Sequence, residues 1–304
     1  MLFNYFTTAI RAARHQKQHF MLNIIGFSIG IAAAILIALF ANNELSIDDN
    51  QPDAERVYRV YVDYTAMGLS KDGAISADIP LSMQNHSQIE SLMILVQSYF
   101  LHNNNYPLPD LVSKGGNNFK LRRFYAASAN IQEFVNIQVI EGELDKVLQR
   151  PDQLALSASE AARLFGRVDI IGETLSHEAG IYTVGAVFAD LPIDTHFAFD
   201  ALAFLPNVDK GPYGAHVYVK LHEGSDIHAL AGEMTAERHR RSPNLKQTSF
   251  DLIQLPDVHF NSNGEFEMKQ GGSELALKVS LILSGLLVLI ASVNFINFNI
   301  AGAT

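Results

Sequence analysis

Two long apolar runs, one near each end of the chain, limit what it can fold into. Phe20–Ala41 is 22 residues without an ionisable side chain, and Val279–Ala301 is a second such run, broken only by Ser and Asn among polar types. A helix rises ~1.5 Å per residue, so either run is long enough to cross a ~30 Å hydrocarbon layer. Roughly 235 residues of mixed polarity lie between them, enough to bury a core of their own. The expected layout is a large domain tied to a membrane at both of its ends.

Charge gives the direction. Arg11, Arg14 and Lys17 precede the first run with no acid upstream, whereas Glu44, Asp48 and Asp49 follow it. Basic residues on one side of a first span predict a cytoplasmic N-terminus and an exported middle, and a second span then returns the chain to the cytoplasm. Lys278, at the exported end of the second span with no basic residue after it, runs against that pattern. A cleaved signal peptide would have a shorter apolar core and a small-x-small exit, which Ala38-Leu-Phe-Ala41 does not supply. Residues 1–17 alternate apolar and polar groups at helical spacing, as in a helix lying along the cytoplasmic interface. These readings divide the chain into a stalk (1–19), a first span (20–41), an exported domain (42–275) and a second span (277–301).

Of the net charge of −10, the first 17 residues contribute +3, leaving −13 to the rest. So acidic an exported domain lacks the basic stripe that nucleic acid requires. The chain has no Cys, which removes disulfides, thiolate nucleophiles and Cys metal sites together.

The exported region reads as α+β, in two subdomains, flanked by the two transmembrane α-helices. Strand-like alternation occurs at 57–64, 92–100, 119–126, 181–188, 196–205 and 216–222. Capping-box spacing predicts helix starts at Ser87 to Glu90 and at Ser157 to Glu160, with Gly166 ending the second helix. Ser225 is the expected cap of a third helix that buries Ile227, Leu230, Ala231 and Met234. The stretch 103–118, rich in Asn, Pro and Gly, is expected to be an exposed loop.

Chemical motifs are few. Gly26-Phe-Ser-Ile-Gly30 matches the nucleophile elbow of serine hydrolases, but that elbow needs a strand-to-helix turn and this copy sits within an apolar helix. Gly26, Gly30, Ala34 and Ala38 instead form a stripe of small residues, every fourth position, along which another helix can approach. In the second span Asn294 and Asn297 are expected to share a face toward a partner helix. His216, His222 and His228 are six residues apart, without the H-E-x-x-H pattern or a repeated carboxylate, and read as scattered histidines. The acid pairs Asp48/Asp49 and Glu265/Glu267 read as solvated charge. No phosphate-binding loop occurs, so the chain is expected to be neither an ATPase nor an enzyme of another kind, and to need no cofactor or metal.

Taken in order, several stretches resemble the bacterial ABC-transporter permeases of the MacB/FtsX type. These are the stalk and first span (4–40), ELSIDDNQPDAERVYRV (44–60), and the blocks 124–144, 154–175, 182–200, 216–226 and 255–262. The end of the second span (289–304) completes the series. The resemblance implies the first half of a permease unit in the bacterial inner membrane, working as a homodimer or pseudo-dimer. It also implies that a separate cytoplasmic ATPase drives the unit and that movement reaches the exported domain through the spans. An adaptor or substrate protein outside the cytoplasm is a further implied partner, alongside the membrane lipids. Relatives of this type continue past the second span into a coupling helix and further spans, so the chain is expected to be a fragment or a truncated product. The competing expectation is a membrane-tethered module that recruits an extracytoplasmic partner without transport.

Overall fold

The computed structural model describes residues 17–103, 108–178, 180–206, 211–261, 264 and 266–301. The stalk residues 1–16, with Arg11 and Arg14, lie outside them. The chain divides into two compact units, one holding the terminal apolar helices and the other Ile47–Gly272.

The helical unit consists of α1 (Lys17–Leu45) and, from the far end of the chain, the helix Glu274–Ala301. Both are long and apolar enough to cross a membrane, over Ile24–Leu45 and Glu274–Ile296. Large side chains such as Leu22, Ile29, Leu36, Leu286 and Ile290 are exposed, as suits helices solvated by lipid.

The domain Ile47–Gly272 is built on one mixed sheet of twelve strands: β1 Val57–Asp63, β2 Ile89–Gln97, β3 Leu111–Lys114, β4 Asn117–Lys120, β5 Phe124–Ala127, β6 Val139–Gly142, β7 Gln153–Ser157, β8 Thr174–His177, β9 Gly180–Phe188, β10 Ala201–Phe204, β11 Ala215–Leu221 and β12 Ser249–Gln254. Their order is β12-β1-β11-β2-β5-β10-β7-β9-β8-β3-β4, with β6 against β9. Pairs β5/β10 and β7/β9 are parallel and the other pairs antiparallel. Among the described residues the remaining helices of eight or more residues are α2 (Ala158–Phe165) and α3 (Ile227–Arg241), which makes Glu274–Ala301 α4. The two subdomains expected from sequence are joined by this one sheet, and a different helix covers each end.

The core follows from alternation along the strands. Val60 and Val62 of β1, Ile94 and Val96 of β2, and Val217 and Val219 of β11 pack on Leu230 and Met234 of α3. On the opposite face Tyr61, Met93, Leu95 and Tyr218 pack with Phe134, Phe188, Phe197 and Phe199. At the far end Leu154, Leu156, Val184 and Val187 pack under Ala161 and Leu164 of α2.

Caps behave as expected in one place and differently in two. Ser157 accepts from the Glu160 amide at 3.2 Å and Gly166 ends α2 at φ 75°, the left-handed conformation glycine adopts without strain. Ser87–Glu90 starts no helix, because Ile89 already pairs with Leu221 and the segment runs on as β2. For α3 the cap is Asp226, which accepts from the Ala229 amide at 3.0 Å, while the Ser225 hydroxyl donates to the carbonyls of His222 and Gln88. The expected strand at 119–126 is two strands, β4 and β5, separated at Arg123 (φ 36°). The expected loop contains the β3–β4 hairpin, turned at Gly115 and Gly116, and only 201–204 of the 196–205 strand is regular.

Candidate functional site

Two features carry the functional interest: the seam between α1 and α4, and the place where the chain enters and leaves the domain.

The two apolar helices run antiparallel along a seam that includes Phe27, Gly30, Ala34, Ile37 and Ala41, all buried or part-buried, as are Ile31 and Ala33 beside them. Phe27 meets Phe295 with ring centres 4.9 Å apart, and the Ser284 hydroxyl donates to the Ala34 carbonyl at 3.3 Å. Gly30 is the point of closest approach: a Cβ there would lie 2.8 Å from the Ala291 Cβ. The seam advances by alternate steps of three and four, the geometry of helices packed at a shallow angle. The predicted stripe takes only steps of four, each overshooting a turn by about 40°, so three of them carry it about 120° round the helix. Gly30 and Ala34 therefore lie in the seam, whereas a Cβ at Gly26 would meet nothing within 4 Å and Ala38 is exposed. Asn294 is exposed and outside the seam; Asn297 lies on α4, with its side chain outside the described residues. Lys17 opens α1, its side chain likewise undescribed.

Asp48, three residues beyond the end of α1, is fully buried in the domain. It holds φ 68°, which Asp tolerates better than most residues, and its amide donates to the Asp194 carbonyl at 2.9 Å. Its carboxylate accepts from the Thr195 hydroxyl at 2.6 Å, from the His196 amide at 3.1 Å and from His196 Nδ1 at 2.7 Å. Burial alone would raise its pKa, but the His196 charge and these hydrogen bonds outweigh that and hold it below the ordinary value. Gln51 adds a bond from its amide nitrogen to the Thr195 hydroxyl and accepts from the Asn136 amide.

His196 Nε2 meets the Tyr218 hydroxyl at 2.7 Å, so Nδ1 donates to Asp48 and Nε2 accepts from Tyr218 when the ring is neutral. Asp, His and a hydroxyl thus stand in the order of a proton relay. Tyr218 is fully buried, however, and an open groove of about 610 Å³ lined by Tyr99, Leu111, Lys120 and His177 lies elsewhere, with none of the three in its wall. The three groups tie the segment after α1 and the loop 192–196 to strand β11.

Tyr218 stands directly across from Arg59 in the β1/β11 register. The Arg59 guanidinium carbon lies 5.9 Å from the Tyr218 ring centre and 4.8 Å from that of Tyr61. The Arg59 side chain is wholly buried, donates to His216 Nδ1 at 2.8 Å and forms an ion pair with Glu267. Burial would lower its pKa, but Tyr218, Tyr61 and Glu267 more than offset this and keep it charged. His216 is held neutral: burial, and then the charges of Arg59 and His196, push its pKa well below 6.5. Gly73 makes room, since a Cβ there would stand 2.8 Å from the Arg59 Cζ.

Glu267 and Lys269 precede α4 by a few residues. Lys269 Nζ donates to the Thr195 carbonyl at 2.5 Å and to those of Pro192 and Ile193 at 3.4 Å. The segments leading from one span and into the other are thus held by the same loop, 192–196.

Sequence reasoning misses this cluster. Its pattern makes Asp48 and Glu267 solvated charges, yet both are buried in ion pairs or hydrogen bonds; Glu265 lies outside the described residues. The signal in reach was Arg59 between valines of a strand, where a charge needs a partner that periodicity cannot name. The histidines are separate: His216 is buried beside Arg59, the β11 register shifts after Lys220, and His222 and His228 are exposed. Among the described residues no three His, Asp or Glu are grouped to hold a metal.

The model of the MacB-like periplasmic core domain family matches residues 20–237. No curated protein sequence matches the chain. Among solved structures, a domain of a protein designated a permease from Porphyromonas gingivalis aligns with TM-score 0.54 and 17% identity, covering 76% of this chain and 99% of that one. The periplasmic region of MacB from Actinobacillus actinomycetemcomitans aligns at 0.48 and 12%, over 67% of this chain and 91% of its own. The extracellular domain of the noncanonic ABC-type transporter YknZ from Gram-positive bacteria aligns at 0.44 and 9%, over 65% and 99%. The family match covers well over half of the chain and begins at the first apolar helix, and so the chain belongs to the MacB-like periplasmic core domain family, within the ABC permeases of the MacB/FtsX type.

Proposed function

We propose that the chain relays movement, produced by a separate cytoplasmic ABC ATPase, through its two spans to an extracytoplasmic domain in the bacterial inner membrane. The observation that carries this reading is the double attachment: the family's periplasmic domain is entered from one apolar helix and left toward another, and both flanking segments are plugged into its core by buried polar contacts. A tether needs one anchor and tolerates slack, whereas a relay needs both connections stiff. In this reading the chain is itself non-catalytic, the ATPase supplies hydrolysis, and two permease units work as a homodimer or pseudo-dimer. The domain then acts on a substrate or adaptor protein outside the cytoplasm.

Because the chain has no Cys, single thiols report cleanly. In membranes holding the chain with its cognate cytoplasmic ABC ATPase, the labelling rate of Ile47→Cys should change between nucleotide-free and ATP–vanadate states. An unchanged rate with the ATPase bound would sink the relay reading in favour of a membrane-tethered recruiting module.

A further inference from the structure

The buried contacts around residues 192–197 close into a ring. Asp48 binds Thr195 and His196; His196 binds Tyr218; the Tyr218 ring lies beside Arg59; Arg59 pairs with Glu267. Two residues along the chain, Lys269 returns to the carbonyl of Thr195. Thr195 therefore serves both flanks at once, its hydroxyl toward the segment after α1 and its carbonyl toward the segment before α4. Aside from Lys269, the members of the ring are buried or nearly so, where each polar group depends on its partner because water is not available to replace it.

We propose that this ring is a latch that couples the two span-flanking segments, with Thr195 and His196 as positioning residues, so that loosening one flank loosens the other. Its meaning rests on the relay reading, but the test needs no ATPase and so the two can fail separately. The reasoning is one of shared partners. If Lys269 lets go, the carbonyls of 192, 193 and 195 lose their donor and the loop carrying Thr195 is freed. The Thr195 hydroxyl and the His196 amide, both bound to Asp48, move with it. If Asp48 lets go, the same loop shifts under Lys269. Two flanks anchored in separate parts of the sheet would not behave this way.

The test uses the full chain in lipid with a single thiol at Ile47→Cys, Met268→Cys or, as a distant probe on the buried face of α2, Leu164→Cys. All three native side chains are buried or partly buried. Lys269→Met should speed labelling at Ile47→Cys, and Asp48→Asn should speed it at Met268→Cys, each by about tenfold, as for residues sharing one hydrogen-bond network. Thr195→Val should speed both, and Thr195→Ser, which keeps the hydroxyl, should restore both. Labelling at Leu164→Cys should stay as in the parent. Acceleration confined to the flank that carries the substitution overturns the latch. Equal acceleration at all three probes overturns it too, since that reports general loosening. Lys269 is only part-buried, so Lys269→Met keeps the test decisive if Asp48→Asn fails to fold.

Discussion

Arg59 stays charged in the interior because Glu267 neutralises it, His216 accepts from it and two tyrosine faces line it, all within the space that Gly73 leaves open. Gly73→Ala should force the guanidinium aside and destabilise the domain by about 1–3 kcal/mol, as overpacking usually does. Urea titration of the full chain in detergent, followed by tyrosine near-UV circular dichroism, would show it; an unchanged midpoint would mean that Arg59 has slack. Acid should act on two groups whose windows open at different pH. His216 has a pKa lowered from 6.5 when folded, so the unfolded chain binds a proton that the folded chain refuses, and stability falls as pH drops below 6.5. Asp48 has a lowered pKa as well, and its contribution is present above 3.8 and lost as pH falls through the lowered value. His216→Gln, which keeps an acceptor for Arg59, should flatten the dependence of the urea midpoint on pH just below 6.5. Asp48→Asn should leave the slope there alone and remove part of the loss below 3.8. An unaltered slope in His216→Gln would show that this ring does not govern the upper window.

At the scale of elements, α1 and α4 meet through one glycine and two small neighbours rather than along an even stripe. Gly30→Leu should separate the helices, because a branched side chain would stand where the Ala291 methyl already is. Gly26→Leu and Ala38→Leu should leave the pair intact, since neither position lies in the seam. Disulfide cross-linking between Ala34→Cys and Ser284→Cys reads this directly. The yield should fall severalfold in the first variant and stay at the parent level in the other two; equal losses in all three would restore the four-residue stripe. In the domain, β1 and β11 are buried on both faces, which lets one face carry valines toward α3 and the other the polar ring.

For the molecule as a whole, the domain Ile47–Gly272 has its own core on both faces of its sheet. Expressed without the helices it should fold to a mixed α/β circular-dichroism spectrum with a cooperative melt. A molten product would show that the spans contribute to its fold. Orientation is a separate matter, decided by the basic residues ahead of the first span. Thr7→Cys should resist an impermeant thiol reagent in cells opened only to the periplasm, while Leu69→Cys, exposed in the domain, should label. The reverse pattern would invert the topology.

The sequence by itself determined the layout, because a membrane span is a local property: 22 predominantly apolar residues without an ionisable side chain are enough, whatever surrounds them. It also determined α2, whose start and stop signals sit within ten residues of each other, and strands β1, β9 and β11, whose observed ends lie within one residue of those expected. Ser87–Glu90 shows the limit. Its spacing satisfies a helix cap, but pairing with β11 satisfies more backbone groups, and that partner is more than a hundred residues away. The stripe shows a second limit, since residue spacing identifies close-packing candidates while the helix that meets them selects the face. Only the tertiary structure decided that Asp48, His196, Tyr218, Arg59, Glu267 and Lys269 belong together. They come from five separate stretches of the chain, and whether an acid is solvated or buried depends on which base the fold brings to it.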